Sequence, residues 1–569
     1  MDTVTHDLVI FGAGLAGLRA ALAAASASRG KLDIALVSKV QLMRAHSVAA
    51  EGGTAAVLRP EEGDSLELHA WDTVKGSDFL ADQDAVELFV RTMPEEILHL
   101  EHWGLPWSRR PDGRIAQRPF GGHSFPRAVY AADKTGFFEM QTLYDTLQRH
   151  AEVTRYDECF VTALVAADNV YRGLIAIDMK SGRMLALRSQ ALIIASGGAG
   201  RLYNFTTYSQ TVTGDGLALA FRAGAPLKDM EFVQFHPTGL VPSGILISEA
   251  ARGDGGYLIN KDGERFLERY APQRMELAPR DIISRSMMTE IEAGRAYPRP
   301  DGLDHLLLDL RHLGAAKINE RLPFIRELAI KFGGIDPIEQ PIPVRPVAHY
   351  SMGGIHTDLR GATPVRGIWA AGEAACVSIH GANRLGTNST AECLAWGRFA
   401  GEDAARFAAE NALPPLPEGA VADEERRLHD LLRTEGTESP YEIRAALQET
   451  MDRSVGVFRT GEGLTGALAG IKELADRARR LRLADRGRVY NTDLITCLEL
   501  QNMLEIAEVV VAGALARTES RGAQARRDFP NRDDQRWLIH TMAARNLDGP
   551  RLGSLPVAIT RWEPVERTY

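Results

Sequence analysis

The chain has 569 residues, of which 45% are hydrophobic and 25% charged, a balance typical of globular proteins. That length is enough for two to four domains with sizeable cores, and the composition excludes a largely disordered chain. The formal net charge is −9 with dispersed Lys and Arg residues, which excludes a general nucleic-acid binder. Because no apolar run reaches the roughly 18 residues needed to cross a bilayer, we expect any membrane attachment to come through partners.

The amino terminus has the order of a dinucleotide-binding unit. Residues 7–11 predict a buried strand, followed by Gly12-Ala13-Gly14-Leu15-Ala16-Gly17 and an alanine-rich helix. In such a turn the first glycine permits the bend, the second lets the backbone approach a pyrophosphate, and the third packs helix against strand. The amino end of the helix then offers N–H groups to the anion.

The second predicted strand, residues 33–37, ends in Ser38-Lys39, where an Asp or Glu usually holds the ribose of NAD. This departure disfavours an ordinary NAD site, although a hydroxyl and an ammonium can still bind the ribose and phosphate side of a nucleotide. His46 follows within Arg44-Ala45-His46-Ser47-Val48-Ala49-Ala50-Glu51-Gly52-Gly53, beside two glycines that let backbone approach a ring. We interpret His46 as a residue placed to carry a flavin covalently.

The middle of the chain predicts that the nucleotide-binding unit is interrupted. Residues 161–184 predict a small β-meander, and residues 192–200 a buried strand that enters a glycine turn. Thr213-Gly214-Asp215-Gly216 then opens a helix, but the next strand of the unit is predicted only at 367–373. We therefore expect a first part of the FAD-binding domain at 1–230, a capping domain at 231–345 and a second part at 346–412.

The last third of the chain predicts helices. The prolines at 414, 415 and 417 indicate a linker, and amphipathic stretches follow at 423–433, 463–483 and 493–517. We expect a helical domain at 420–535 and an extended tail at 536–569 that lies on another surface. The four cysteines are widely spaced without a CxxC pattern, which predicts buried thiols and no metal or iron–sulfur site. The expected fold is α/β, a Rossmann-type FAD-binding domain with an inserted α+β cap, a helical domain and a tail.

Six motifs occur in order along the chain. They are Arg44-Ala45-His46-Ser47 with Ala50-Glu51-Gly52-Gly53, Arg118-Pro119-Phe120-Gly121-Gly122, Gln234-Phe235-His236-Pro237-Thr238-Gly239, Pro279-Arg280-Asp281, Ala348-His349-Tyr350-Ser351-Met352-Gly353-Gly354, and His380-Gly381-Ala382-Asn383-Arg384-Leu385-Gly386. By these motifs the chain resembles the flavoprotein subunit of the succinate dehydrogenase and fumarate reductase family over nearly its entire length. The resemblance implies interconversion of succinate and fumarate by hydride transfer to or from FAD, linked to quinone.

The same resemblance implies roles for individual residues. His46 resembles the residue joined to the 8α-methyl group of FAD, a bond that raises the flavin potential. Arg280 resembles the proton donor and acceptor, with Glu249 and Arg252 as its relay. The substrate would be bound by Phe120, His236, Ser248, His349 and Arg384. The other implied FAD contacts are Gly12, Ala13, Gly14, Leu15, Ala16, Gly17, Ser38, Lys39, Arg44, Ser47, Ala50, Gly52, Gly53, Asp215, Glu373 and Ser389.

Binding a dicarboxylate and transferring a proton require groups of these kinds. Two carboxylates need cationic and hydrogen-bonding partners, for which a bidentate guanidinium and imidazole donors are suited. A proton donor is also required, and a free arginine has a pKa above about 12. A physical account of Arg280 therefore needs a dry site, neighbouring positive charge and a relay such as Glu249 and Arg252. The alternative is an ordinary ion-pair network.

Three positions bear on departures within the family. Gln524 stands where members often have histidine, and we expect it to alter the surface around the flavin edge or a subunit contact. Thr390 stands where an apolar residue is common. Glu51 resembles the fumarate reductase branch, whereas the succinate dehydrogenase branch often has glutamine. A nearby carboxylate would disfavour an anionic reduced flavin, but this clue does not determine the direction of the reaction in the cell.

Partners follow from what the chain lacks. It has no ligand set for the iron–sulfur clusters that would carry single electrons, so a separate iron–sulfur subunit is expected. The resemblance adds one or two quinone-binding membrane anchor subunits, which would place the chain peripherally on the cytoplasmic side. Residues 1–6 have no basic segment, which agrees with that side.

Two other functions remain open. An L-aspartate oxidase, or a soluble fumarate reductase-like flavoenzyme, would share the fold and the arginine chemistry, but the aspartate oxidase ordinarily lacks a flavin-linking histidine. A non-catalytic electron-transfer subunit would have a vestigial site. The complete set of His236, Glu249, Arg280, His349 and Arg384 argues against the latter.

Overall fold

The computed structural model describes residues 2–568, and a five-stranded parallel sheet lies at its centre. Side by side, its strands are Ile368–Ala370, Ala191–Ile194, Leu8–Phe11, Ile34–Ser38 and Val153–Asp157. The first four are continuous buried runs, as expected for parallel strands covered on both faces. Strands from three distant parts of the chain meet in this sheet, and the expected α/β fold class is confirmed.

Helices cover the sheet and bring its glycine turn into place. The helix Leu15–Ser28 follows the strand Leu8–Phe11 and packs against the helix Asn388–Glu410. The two backbones approach closely, since a Cβ at Gly401 would lie 2.4 Å from the Ala20 carbonyl oxygen. Further helices of this part are Leu66–Gly76, Gln83–His102, Thr135–Leu147 and Asp215–Arg222.

Two smaller sheets flank the parallel one. The predicted meander is present as Cys159–Ala167, Val170–Asp178 and Arg183–Arg188, with Asp2–Thr5 added as a parallel edge strand. A second small sheet consists of Thr54–Ala55, Ala128–Val129 and Gln117–Arg118. It fixes the backbone just after the segment that contains His46.

The region expected to form a cap has its own sheet and its own hydrophobic core. Its antiparallel strands, side by side, are Val233–Leu240, Ile342–Ser351, Leu306–Asp309 and Tyr257–Ile259. Its helices are Ala250–Gly253, Leu267–Tyr270, Arg280–Glu292, Gly314–Arg321 and Pro323–Gly333. Residues such as Ile283, Leu308 and Ile325 are fully buried in a core separate from that of the parallel sheet.

Residues 420–516 contain four long helices, Ala420–Arg433, Pro440–Ser454, Gly461–Arg477 and Thr492–Ala516. Three of them lie where amphipathic stretches were predicted. The last is apolar on nearly every face because it is buried against its neighbours. Within residues 2–568, no helix combines the length and hydropathy that a bilayer crossing requires.

The tail is extended only in part. Ile539–Ala544 and Arg551–Pro556 form an antiparallel hairpin that continues through Leu227–Lys228 to Gly354–His356 and Ala375–Cys376. The local pattern does not show this pairing because the partner strand lies about 300 residues away in the chain. Residues 557–568 have no helix or strand and pack against residues 66–102.

His540 ties the hairpin to the rest of the molecule. Its Nδ1 lies 2.6 Å from Asp229 Oδ2 and its Nε2 lies 3.0 Å from Asp82 Oδ1. Burial opposes charging of the imidazole, but Asp229 and then Asp82 raise its pKa to about 9 from the ordinary 6.5. The buried ion pair should therefore stabilise the fold while His540 is protonated.

We expect this stabilisation, roughly 3 kcal/mol, to be complete below about pH 6.5 and to be lost as pH rises through about 9. Thermal unfolding of the protein and of His540→Gln measures it. The difference in midpoint should be large near pH 6 and should narrow toward pH 10. The control is His429→Gln, whose side chain is 44% exposed, and a His540→Gln difference that stays constant across this range would contradict the assignment.

Candidate active site and cofactor cavity

A cavity of about 770 Å³ lies between the parallel sheet and the cap, a size typical of ligand sites. The turn after the first strand, the segment at 44–53 and cap residues line it. Every predicted site residue lines this cavity except Gly17 and Arg252. Among the described residues, no group of His, Cys, Asp and Glu is arranged to hold a metal ion.

The glycine turn has the close approaches that its sequence predicts. Gly12 has a φ of +114°, and a Cβ there would lie 2.2 Å from the Ala195 carbonyl oxygen. Gly17 faces the turn, since its Cβ would lie 1.8 Å from the Gly12 carbonyl oxygen. Gly14 precedes the helix without a side-chain cap, and the Leu15 N–H donates to Ser47 Oγ at 3.2 Å. The helix amino end therefore faces the cavity and suits an anion.

Lys39 is held by acidic side chains. Its Nζ donates to Asp215 Oδ2 at 2.6 Å, to Glu499 Oε1 at 2.8 Å and to Thr213 Oγ1 at 2.9 Å. Burial lowers the pKa of Lys39, but the two carboxylates raise it above its ordinary value, so the ammonium stays charged. Asp215 also accepts from Asn502 Nδ2 at 2.8 Å. The sequence analysis missed Glu499 and Asn502, which come from a distant helix.

His46 begins a short 3₁₀ helix, His46–Ala49, and its ring stacks on Tyr208 with centroids 4.9 Å apart. Its Nδ1 accepts a long hydrogen bond, 3.5 Å, from the Ser209 N–H. Burial lowers the pKa of His46 to about 4, so the imidazole is neutral near pH 7. With Nδ1 accepting, Nε2 is the nitrogen that bears a hydrogen or a substituent.

The glycines after His46 are required by their surroundings. Gly53 has a φ of +127°, and a Cβ there would lie 2.5 Å from the Val129 carbonyl oxygen. A Cβ at Gly52 would lie 2.9 Å from Phe120 Cζ. The segment at 50–53 thus forms a thin cavity wall, as a planar ring would need.

Glu373 lies just after the strand Ile368–Ala370, at the sheet edge that faces the cavity. Its Oε1 accepts from the Ser351 N–H at 2.9 Å and from the Tyr208 hydroxyl. Burial raises the pKa of Glu373 to about 7. A buried carboxyl in this position suits ligand hydroxyls. Ser38, Arg44, Ala50 and Ser389 complete the predicted wall.

Two guanidinium groups meet at the cap side of the cavity. Gln234 Oε1 accepts from Arg280 Nη1 at 3.1 Å and from Arg384 Nε and Nη2 at 3.3 Å each. Burial and then Arg280 lower the pKa of Arg384 to about 10, which leaves it charged near pH 7. Among the described residues no carboxylate lies within ion-pair distance of Arg384. A buried cation without a carboxylate partner favours an anionic ligand.

Two imidazoles face the same part of the cavity. The rings of His236 and His349 have centroids 5.0 Å apart at 62°. His236 Nδ1 accepts from the Thr238 N–H at 3.1 Å, while its buried Nε2 has no partner. Burial and then Arg280 lower the pKa of both histidines well below 6.5. His236 is thus a neutral donor that lacks an acceptor, which a ligand carboxylate would supply.

Arg280, Glu249 and Arg252 form a row that leads away from the cavity. Arg280 Nε donates to Glu249 Oε2 at 2.8 Å, and Arg252 Nη2 lies 3.5 Å from the same oxygen. Glu249 Oε1 accepts from the Gly121 N–H at 2.5 Å. Burial raises the pKa of Glu249, but Arg280 and Arg252 lower it below its ordinary value. Arg252 lies behind Glu249, and its Nε and Nη2 have no hydrogen-bond partner.

Phe120 and Ser248 complete the substrate side. Phe120 is buried, and a Cβ at Gly386 would lie 2.9 Å from its Cδ1 and 3.5 Å from Arg280 Nη2. Phe120 therefore lies beside the arginine cluster rather than in a distant core. Ser248 lines the cavity next to Glu249.

One expectation about departures from the family, that for Gln524, is corrected. Gln524 is fully buried, and its side chain bonds to Arg459 and to the Ala514 carbonyl oxygen, so it lies neither on a surface nor in the cavity wall. Burial and then Asp133 raise the pKa of Glu51 well above its ordinary value. This shift weakens the argument that the Glu51 carboxylate repels an anionic flavin. Thr390 bonds to Thr54 Oγ1 at 2.8 Å.

Comparisons with known proteins agree with this arrangement. A family model described as an FAD binding domain matches residues 7–390, and one described as the fumarate reductase flavoprotein C-term matches residues 444–569. The chain is 50% identical to the fumarate reductase flavoprotein subunit of Mycobacterium tuberculosis strain H37Rv, over 100% of both chains. It is 41% identical to the succinate dehydrogenase flavoprotein subunit of Rickettsia conorii, over 99% of this chain and 98% of that one. A solved quinol-fumarate reductase with menaquinol molecules matches with a TM-score of 0.96 and 46% identity, over 99% of this chain and 100% of that one.

Proposed function

The chain belongs to the family of fumarate reductase and succinate dehydrogenase flavoprotein subunits, and on that premise we propose how its residues act on succinate and fumarate. It is an FAD-binding oxidoreductase of that family. The observation that carries the proposal is the buried arginine pair at the cavity, Arg280 and Arg384, held by one amide oxygen of Gln234. When bound, FAD supplies the acceptor or donor of a hydride.

The two carboxylates of a dicarboxylate substrate would bind to different residues of the cavity. Arg384, which has no carboxylate partner, would grip one carboxylate with its guanidinium. His236 Nε2 would donate to the other, together with His349 and Ser248. Phe120 would pack on the carbon chain between them. The buried location excludes water and strengthens these contacts.

Proton transfer would use the row at 280, 249 and 252. The Arg280 guanidinium would hold the proton that moves to or from the substrate carbon, and Glu249 and Arg252 would return it from the interior. The carboxylate of Glu249 lies between two guanidiniums, at 2.8 and 3.5 Å, which is the order a relay requires.

FAD would be held by the glycine turn at 12–17, by the segment at 44–53 and by Glu373. The side-chain-free cavity wall at Gly12, Gly52 and Gly53, where a Cβ would collide with neighbouring protein atoms, and the helix amino end at Leu15 fit a dinucleotide with a planar ring. We propose His46 as the point of covalent attachment through Nε2, since Ser209 engages Nδ1.

We expect His46→Ala to lose the covalent bond while it retains the fold. After acid precipitation, nearly all flavin of the unaltered protein should stay with the precipitate and map to the peptide that contains His46. The flavin of His46→Ala should appear in the supernatant. His150→Ala, at a half-buried surface position, is the control. Flavin that stays attached in His46→Ala would refute this role.

The partners are proposed from relatives and structural neighbours. The matched structure is that of a quinol-fumarate reductase, and the chain has no cysteine pattern for iron–sulfur clusters. We propose that electrons pass between the flavin and a separate iron–sulfur subunit. Membrane anchor subunits that bind quinone would then hold the chain peripherally on the cytoplasmic side, in a quinone-linked reaction.

The other enzyme considered is L-aspartate oxidase. His46, which lies within the cavity wall beside Tyr208, supports the succinate and fumarate reaction over it. Flavin reduction by aspartate and not by succinate would favour the oxidase. The buried, charged Arg384, which has no carboxylate partner among the described residues, also opposes a vestigial, non-catalytic site, because such a charge is costly without a ligand to bind.

A further inference from the structure

The carboxyl-terminal tail reaches the residue that follows Arg280. Arg567 Nη2 lies 2.6 Å from Asp281 Oδ2 and 3.0 Å from Asp78 Oδ2. The side chains of Arg567, Asp281 and Asp78 are 7%, 1% and 7% exposed, so this bridge is shielded from solvent. Asp281 belongs to the cap helix Arg280–Glu292, and Asp78 follows the helix Leu66–Gly76 beneath the cap. Arg567 therefore joins the cap to the nucleotide-binding part.

The tail that carries Arg567 is fixed in place. Gln83 Oε1 accepts from the N–H groups of Thr560, Arg561 and Trp562 at 3.2, 2.8 and 2.9 Å, and Gln83 Nε2 donates to the Trp562 carbonyl oxygen at 2.7 Å. The Trp562 ring also meets Trp71 edge to face, with centroids 5.7 Å apart. Arg567 is thus presented by a docked segment of chain.

Asp78 is held as firmly on the other side of the bridge. Its Oδ1 accepts from Arg532 Nη1 at 2.9 Å, and its Oδ2 accepts from the Gly522 N–H at 2.9 Å. Burial raises the pKa of Asp78, but Arg567, Arg521 and Arg532 lower it below its ordinary value, so it stays a carboxylate. In this bridge the tail residue Arg567 lies between the fixed carboxylate of Asp78 and the cap carboxylate of Asp281.

Asp281 is coupled to Arg280 by the helix itself. The two residues are consecutive in the first helical turn, where a carboxylate also interacts favourably with the helix amino end. A shift of Asp281 therefore displaces Arg280, whose guanidinium contacts Glu249 and Gln234 at the cavity. Besides Arg567, Asp281 accepts from Arg285 of its own helix, and that contact does not reach the nucleotide-binding part.

We propose that Arg567 is a positioning residue, whose ion pair with Asp281 holds the first turn of the cap helix and so places the Arg280 guanidinium at the cavity. This inference rests on the role proposed for Arg280. Without Arg567, Asp281 keeps only Arg285 of its own helix among the described residues, so its ion pair across the boundary between cap and nucleotide-binding part is lost. The helix start would then move away from the cavity, while the groups proposed to grip the carboxylates stay in place.

We expect Arg567→Gln to lower kcat, measured per bound flavin, by about 10- to 100-fold, since a displacement of about 1 Å has effects of that size. The KM for succinate should change by less than about threefold, because Arg384 and His236 are untouched. Arg567→Lys should recover part of kcat, since an ammonium keeps the charge but loses the second nitrogen, Nη1, which lies 3.4 Å from the Gly76 carbonyl oxygen. The matched control is Arg561→Gln, which removes a surface pair with Glu67 from the same tail.

The full FAD-loaded protein is used for kinetics and for hydrogen exchange at residues 280–292. Exchange there should be faster in Arg567→Gln and unchanged in Arg561→Gln. A lower flavin content with unchanged kcat per flavin would show a purely structural role and overturn the proposal. Wild-type kcat and exchange in both Arg567 variants would also overturn it. Turnover of Arg280→Lys tests the role of Arg280 separately from that of Arg567. An active Arg280→Lys variant refutes the proposed function, whereas an inactive one leaves the proposed function standing.

Discussion

Arg280→Lys is expected to retain FAD and bind a dicarboxylate, yet to lose turnover by about 10³-fold or more. Arg280 uses Nε for Glu249 and Nη1 for Gln234, which leaves a third nitrogen of the same rigid fork for the substrate. A lysine ammonium keeps the charge but cannot reproduce that fork. Loss of a positioned proton donor costs roughly 10²- to 10⁴-fold.

The measurement is turnover per bound flavin with succinate, beside the change in flavin absorbance when a dicarboxylate binds. Arg295→Lys is the control, because Arg295 lies in the same cap and pairs with Glu290 away from the cavity. Turnover of Arg280→Lys within about tenfold of the unaltered protein would remove Arg280 from the proton transfer.

Arg384→Gln should instead weaken substrate binding and turnover together. The buried guanidinium of Arg384 has Gln234 and the face of Tyr350, 4.3 Å from its centre, as partners, and no carboxylate of the described residues neutralises it. Removal of one member of a buried charge pair with substrate costs about 2–5 kcal/mol. We expect kcat/KM for succinate to fall by roughly 10²- to 10³-fold.

Titration of the flavin absorbance with succinate separates binding from turnover in this variant. Arg384→Lys should lie between Arg384→Gln and the unaltered protein, since charge without bidentate geometry restores only part of the contact. Arg406→Gln, at an exposed position on the helix Asn388–Glu410, is the control. Unchanged succinate affinity in Arg384→Gln would assign the carboxylate to other residues.

Local patterns were sufficient to predict the strand Leu8–Phe11, the glycine turn and the helix that follows. Each of these depends on residues within about 20 positions, such as the continuous apolar run of the strand Leu8–Phe11 or the φ that only glycine adopts easily at position 12. The meander and three of the four long carboxyl-terminal helices were predicted for the same reason. The helix Pro440–Ser454 was not singled out because its polar surface is broad, with about a third of its residues buried.

Motifs from distant parts of the chain were sufficient to predict most of the residue types that line the candidate cavity. They identified residue types whose chemistry is needed at one place, such as Arg280, His349 and Arg384, although the sequence contains no distances between them. Their assigned roles stay proposals that the variants above test. The helix that contains Glu499 and Asn502 gave no such signal, because only its contact with Lys39 and Asp215 makes those residues part of the site.

The class of fold, the dinucleotide turn and the family could be predicted from the amino-acid sequence, because these depend on local periodicity and on short motifs. The charge states and the contacts between distant segments could be read only from the folded chain. Burial raises the pKa of Glu51, and Gln524 lies in the interior of the folded chain. Neither the pKa shift nor the buried position is visible in a one-dimensional pattern. The hairpin at 539–556 and the Arg567 bridge likewise depend on strands and side chains hundreds of residues apart. Electrostatics and long-range pairing act through space, so they appear only once the chain is folded.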